Sequence, residues 1–273
     1  MDLPQLHTLS AVVDSGSFEA AARVLNVTPS AVSQRIKALE QQAGRILVQR
    51  SKPVRLTDAG AVVLRLARQL ALLESEAETA LGAAALTNLA IGANADSLDT
   101  WLLPALRTVD GVTFDIHRED QEHSITLLRE GRVMGAVTSD REPVQGCTVR
   151  RLGSMRYRPM AAPDVVVDLA TTPVVVFDRK DDLQDAHLRA NGIDPLGPPR
   201  HYVPGSSAFV DAVVLGFGWG MLPDQQAGGH LAAGRLVVLD ETAPIDVPLY
   251  WQQWSLDSDA LERTAAALEN AFR

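Results

Sequence analysis

Residues 16–40 read GSFEAAARVLNVTPSAVSQRIKALE, and their pattern decides how the chain begins to fold. Ser17 suits the N-cap of a short helix that carries Phe18, Ala21, Ala22 and Leu25 on one side. Asn26 stands at the break, because Asn tolerates the left-handed backbone of a tight turn. Thr28 caps the next helix and Pro29 takes its first position, where a missing N–H costs nothing. Ala31, Val32, Ile36 and Leu39 form the buried stripe of that helix, which leaves Ser30, Ser33, Gln34 and Lys37 on other faces. Two short helices around a tight turn make a helix-turn-helix, with Ala22 small enough for close approach and Val32 packed between them.

The neighbouring stretches fit this reading. Upstream, Leu3, Leu6, Leu9, Ala11, Val12 and Val13 recur at helical spacing and predict a preceding amphipathic helix. Downstream, RILVQRSKPVRLT (45–57) reads as two short strands around Ser51-Lys52-Pro53, a basic β-wing. The second helix of such a module enters the major groove and offers its N-terminal residues to base edges. Ser30, Ser33 and Gln34 are therefore the candidates for base contacts, since hydroxyl and amide groups hydrogen-bond there. Arg35, Lys37, Arg50, Lys52 and Arg55 are the candidates for phosphates.

The chain has 273 residues and a formal net charge of −9, an odd background for a reader of polyanions. Dividing the charge removes the conflict. Between Ala20 and Thr57, seven basic residues face a single acid, Glu40, a local excess of six positive charges that leaves a net charge of −15 elsewhere. Such asymmetry marks a basic footprint joined to a body that does not touch nucleic acid. The length suits two or three domains, and no apolar run nears the roughly 18–20 residues a bilayer demands. The start, MDLPQLHTLS, lacks a basic region before an apolar core, and Cys147 stands alone, so a reducing cytoplasm without membrane attachment is expected. The six histidines lack paired zinc spacing, and no Walker loop, nucleophile elbow or catalytic triad is visible. GFGWG (216–220) follows a helix, so it reads as a helix stop and not as a dinucleotide loop. No catalytic residue, metal or cofactor is expected.

From Ala59 to Gly82 the residues Ala59, Val63, Leu66, Leu70, Leu73, Ala77 and Ala80 step by four and three, a seam for pairing with a partner helix. After residue 86, LTNLAIGA, SLDTWLLPALRTV, VTFDIHRED, HSITLLREG and VMGAVTSD alternate strand and helix, implying a parallel sheet. A second unit begins near Met160, with TPVVVF, SSAFVDAVVLG, WGMLP and RLVVLD, before VPLYWQQW and a terminal helix return. Ligands of open α/β sheets sit outside the carboxyl ends of strands. The loops there contain Asn94, Asp96 and Ser97, then Glu119 and Asp120, then Thr138, then Asp178 to Asp182. Ser97 is read as opening a helix whose N–H groups favour a carboxylate, while the acids favour a cation, a pairing that suits a basic amino acid. The same acids also read as solvated loop residues or helix caps.

The stretch GSFEAAARVLNVTPSAVSQRIKALEQQAGRILVQRSKPVRLTDAG resembles the winged helix-turn-helix of LysR-type transcriptional regulators over nearly all of residues 3–60. It departs mildly at Leu47-Val48, where the family usually has Leu-Phe. VSQRIKALE, NADS followed by TW and LLREG, GAVT, DDLQD and VPLYW are similar to those family members that sense lysine and arginine and activate a basic-amino-acid exporter gene. The resemblance implies an all-α winged helix-turn-helix domain (1–58), a linker and dimerisation helix (59–84) and an α/β, two-lobed, periplasmic-binding-protein-like effector domain (85–273). Its first lobe would span about 87–158 and 245–273, its second about 159–244. It implies that Asn94, Asp96, Ser97, Glu119, Asp120 and Thr138 line the effector cleft, with Asp178 opposite. Ser207 of VPGSSAF stands where relatives often carry an acid, and the chain is compact between Asp164 and Pro173. The implied partners are double-stranded promoter DNA, RNA polymerase and a second copy of the chain, in a homodimer or homotetramer. An effector-independent DNA-binding protein, such as an inhibitor of replication initiation, is the alternative.

Overall fold

A computed structural model describes residues 1–82, 86–118 and 121–272, with the backbone alone at 121–123. Helix α1 (Leu3–Ser15) starts at Asp2, whose carboxylate accepts from Gln5 N–H while the Gln5 side chain reaches back to Asp2, a capping box. Helix α2 (Phe18–Val24) is capped by Ser17, and α3 (Pro29–Ala43) by Thr28, each hydroxyl accepting a backbone N–H at 3.1 Å. Between them Asn26 adopts φ 52°, the left-handed turn that its residue type permits. Strands β1 (Val48–Gln49) and β2 (Arg55–Leu56) pair antiparallel as the wing, with Val48 opposite Leu56. The core of this module joins Leu9, Val12, Val32, Ile36 and Leu39 to Val63, Leu64 and Ala67 of the next helix. Each fully buried side chain of this size contributes about 1.5–3 kcal/mol.

That next helix, α4 (Asp58–Ala80), has 23 residues and runs roughly 34 Å. Its apolar positions are divided between surfaces. Val63 is buried against the module of its own chain, whereas Leu66 is 41% exposed and Ala77 and Ala80 are exposed. One side of the first turns is claimed in cis, and Val62 (54% exposed) with Leu66 is left for another surface.

The body follows as β3 (Thr87–Ala93), α5 (Ala95–Ser97), a turn of π-helix (Leu98–Leu102), α6 (Leu103–Leu106), β4 (Val112–Arg118), α7 (Gln121–Arg129), β5 (Gly135–Thr138) and β6 (Cys147–Ala161). Then come β7 (Val174–Val176), α8 (Leu183–Ala190), β8 (Arg200–Tyr202), α9 (Ser206–Val214), β9 (Gly220–Pro223), α10 (Asp224–Ala232), β10 (Val237–Val238), β11 (Ile245–Trp254) and α11 (Asp259–Asn270).

Two compact units emerge, which cut across the lobe boundaries read from sequence. The first holds 1–93, 108–150 and 251–267; the second holds 94–107, 151–250 and 268–273. In the first, β3 lies between parallel neighbours β4 and β5, with Leu89 opposite Phe114 and Ile91 opposite Gly135. Leu89, Ile91 and Ala93 on one face are fully buried and Ala90 on the other is buried too, as a parallel strand covered on both faces requires. Gly135 leaves room for Trp251, since a Cβ there would stand 2.2 Å from the indole. In the second unit β6 pairs antiparallel with β9 and β10, and β7 pairs parallel with β8. Its core gathers Met160, Val175, Phe209, Val213 and Leu222. The GFGWG segment is the predicted stop: Gly216 and Gly218 have φ +81° and +151°, and a Cβ on Gly218 would meet the Pro173 carbonyl at 2.0 Å.

Candidate nucleic-acid interface and effector site

On α3 the side chains of Ser30, Gln34 and Lys37 are exposed, and Ser33 and Arg35 are half-buried. The Arg35 guanidinium leans on α1, donating to the Thr8 hydroxyl at 3.4 Å. Gln34 and Arg35 share a concavity with Asp2, Gln5 and Ala38. On the wing Arg50, Lys52 and Arg55 are exposed, and the Arg50 guanidinium sits 5.2 Å over the Phe18 ring. That cation–π contact holds the guanidinium without neutralising its charge. Glu40, the one acid of the basic stretch, is turned inward: its Oε1 accepts from Leu47 N–H at 2.9 Å and Val48 N–H at 3.4 Å. It ties the end of α3 to the wing and is bonded to backbone N–H groups there.

In the second unit Asn94 caps α5, its side chain accepting from Ser97 N–H at 3.3 Å. Ser97 therefore lies within the first turn and does not open the helix, and the N–H proposed for an anion already has a partner. Ser97 is fully buried. Asp96 is engaged at both oxygens, by the Tyr157 hydroxyl at 2.7 Å and the Ser206 hydroxyl at 2.6 Å. The Gln226 amide donates in turn to Ser206 at 2.6 Å. Burial, and then the Asp96 charge, push the Tyr157 phenol well above its ordinary value, so it remains a donor. Neutral donors thus hold both oxygens of Asp96. The Ser207 hydroxyl donates to Asp99 at 2.9 Å at the edge of a cavity of about 580 Å³. Asp99, Trp101, Asp211, Gln226 and His230 line it, drawn from the π-turn, α9 and α10.

The remaining predicted residues lie differently. Asp178 accepts from Lys180 N–H at 2.7 Å and Asp181 N–H at 3.0 Å, holding its own loop. Asp181 accepts from Phe177 and Leu183 N–H, and burial raises its carboxyl against those bonds. Thr138 belongs to the first unit, buried at the end of β5, its hydroxyl accepting from Asp140 N–H at 3.0 Å. Glu119 and Asp120 lie outside the described residues. Sequence reasoning missed Tyr157, Asp99, Asp211, Ser206 and Gln226. A signal existed for Asp99: with Asp96 it stands three apart in NADSLDTW, the spacing of one helix face. Among the described residues no group of three or more His, Cys, Asp or Glu is placed to hold a metal, and no helix is long and apolar enough to cross a membrane.

Known proteins share this plan. Residues 3–61 match the bacterial regulatory helix-turn-helix protein family of lysR type, and residues 86–273 match the LysR substrate binding domain. The HTH-type transcriptional regulator LysG of Mycobacterium tuberculosis is 47% identical over 276 residues, covering 96% of this chain and 91% of that protein. The crystal structure of ArgP from Mycobacterium tuberculosis has a TM-score of 0.87 at 46% identity, covering 99% of this chain and 97% of that one. Full-length LysG from Corynebacterium glutamicum with bound effector Arg has a TM-score of 0.78 at 42% identity, covering 99% and 98%. A capped helix-turn-helix, a basic wing, a long connecting helix and an α/β body, matched along nearly the whole length, make one conclusion: the chain belongs to the LysR family of DNA-binding transcriptional regulators.

Proposed function

We propose that this regulator senses a basic amino acid, lysine or arginine, and sets expression of an amino-acid exporter gene accordingly. The observation that carries the reading is the likeness, at 42% identity over 99% of this chain, to a LysG structure holding arginine as effector. The chemistry of the second unit supports it. Neutral donors hold both oxygens of Asp96, and Asp99 and Asp211 face a cavity wide enough for an amino acid. Asn94, Ser97, Asp178 and Ser207 stand in the same unit as further candidates; Thr138, Glu119 and Asp120 are candidates by resemblance.

On DNA, Ser30, Ser33 and Gln34 address base edges, and Arg35, Lys37, Arg50, Lys52 and Arg55 hold phosphates. Two copies pair along the free side of α4, where Val62 and Leu66 are exposed, as a homodimer or within a homotetramer. The effector shifts this assembly only if it binds two arrangements unequally, and the changed DNA geometry then reaches RNA polymerase. Isothermal calorimetry against a panel of amino acids tests the reading. Arginine or lysine should release heat of binding while leucine and glutamate do not. Silence from the whole panel at millimolar concentration overturns it and leaves an effector-independent DNA binder.

A further inference from the structure

Helix α11 begins deep in the first unit: Ser258 and Ala260 are 1% exposed and Leu261 is fully buried. The first N–H groups of any helix lack intrahelical partners, and buried ones must find side chains. Ser258 supplies part of the answer, its hydroxyl oxygen accepting from Leu261 N–H at 3.2 Å. In a capping box the third residue after the cap is Glu or Gln and contributes a second acceptor; here that residue is Leu261, which has none. The missing carboxylate comes from α4. Glu76 Oε1 accepts from the Ser258 hydroxyl at 2.6 Å and from Ala260 N–H at 2.9 Å.

The same side of α4 makes two more contacts within this unit. Arg65 stands eleven residues before Glu76, three helical turns, so both share a face with the buried Leu72. The Arg65 guanidinium lies 4.6 Å over the Trp254 ring. Gly131, at φ +68°, presses on the Arg65 backbone so closely that a Cβ would sit 2.5 Å from its Cα. Along its length α4 is also part of the winged module, where His7 pairs with Glu74 at 3.3 Å and Asp14 pairs with Arg68.

We infer that Glu76 is a positioning residue: it latches the linker helix to the body of its own subunit by completing the cap of α11. The DNA-reading module and the first parallel sheet then turn as one piece. Rearrangement of the body on effector binding, which rests on the proposed function, reaches DNA through this latch.

The test compares Glu76→Ala with Glu76→Gln in the full chain. Gln keeps an oxygen at the Oε1 position and can accept both bonds; Ala cannot. Hydrogen exchange over residues 258–264 should quicken by roughly tenfold or more in E76A and stay near wild type in E76Q. Retardation of DNA from upstream of the chain's own gene should be similar for all three proteins, while the arginine-dependent change in it is lost in E76A and restored in E76Q. Unchanged exchange in E76A overturns the latch. Fast exchange with an intact arginine response overturns the positioning role. A wild-type protein that ignores arginine defeats the amino-acid reading, and the exchange comparison still decides the latch. If E76A does not fold, Glu76→Asp, one methylene short of Ser258, takes its place with the same expected quickening.

Discussion

Tyr157 and Asp96 show how much a single pair can rest on a residue that carries no sequence signal. A tyrosine inside a strand rich in arginine looks like surface, yet its ring is buried and its hydroxyl meets a carboxylate. Tyr157→Phe should lower stability by about 1.5–3 kcal/mol, the range for hydrogen bonds to charged groups, as read by urea denaturation. A change below a few tenths of a kcal/mol would mean that Ser206 alone suffices. His187 is the second case. Burial holds its imidazole below the ordinary value, opposed by Asp240, and the ring stacks edge-on against Trp219. The unfolded chain therefore takes up a proton more readily than the fold does. Stability from this residue is present above about pH 6.5 and falls as pH drops below it. The melting temperature should decline from pH 7.5 to 5.5, and His187→Gln should flatten that decline. At this scale the two caps, the Asn26 turn and the outward polar residues of α3 were legible, because all follow from local rules. Asp99 and Asp211 were not, because only tertiary packing brings the π-turn and α9 to one cavity.

Helix α4 was legible as a helix and as a seam, but a heptad pattern does not say which partner each side meets. The structure divides it: Val63, Leu64 and Ala67 serve the winged core, Arg65 and Glu76 meet the body, and Val62 and Leu66 stay exposed. Leu66→Glu should therefore weaken self-association with little loss of monomer stability. Light scattering across a dilution series reads both the mass and its concentration dependence; an unchanged assembly would remove this side of α4 from the interface. Gly131→Ala meets both a left-handed backbone and the Arg65 main chain, and should cost about 1–3 kcal/mol or more. Strand β6 escaped sequence reading altogether. Gly153 and Pro159 interrupt it, and Arg150, Arg151, Arg156 and Arg158 mask the apolar positions Leu152, Met155 and Tyr157. Several of those cations are tied to acids, Arg156 to Asp246 at 2.7 Å and Arg158 to Asp224 at 2.6 Å.

Across the whole molecule, charge is segregated, with half-buried Glu40 bonded to the wing backbone and Arg50, Lys52 and Arg55 exposed. Gln34→Ala should flatten discrimination between operator and random DNA, whereas Arg50→Ala should weaken both alike and reduce the salt slope by about one unit. Gel shifts at several salt concentrations separate these outcomes, and identical losses in the two variants would deny the division of labour. The family plan was legible at this scale because motifs lie along the chain in order; the grouping of residues 94–107 with 151–250 was not, since it depends on contacts remote in sequence. The cap supplied by Glu76 spans 182 and 184 positions. So distant a contact closes late in folding, after loop entropy has been overcome by the elements between. During synthesis the linker helix leaves the ribosome long before the residues it will hold. A nascent chain thus carries its whole winged module and linker helix before the helix that Glu76 will cap has been made, and the arrival of α11 closes that contact.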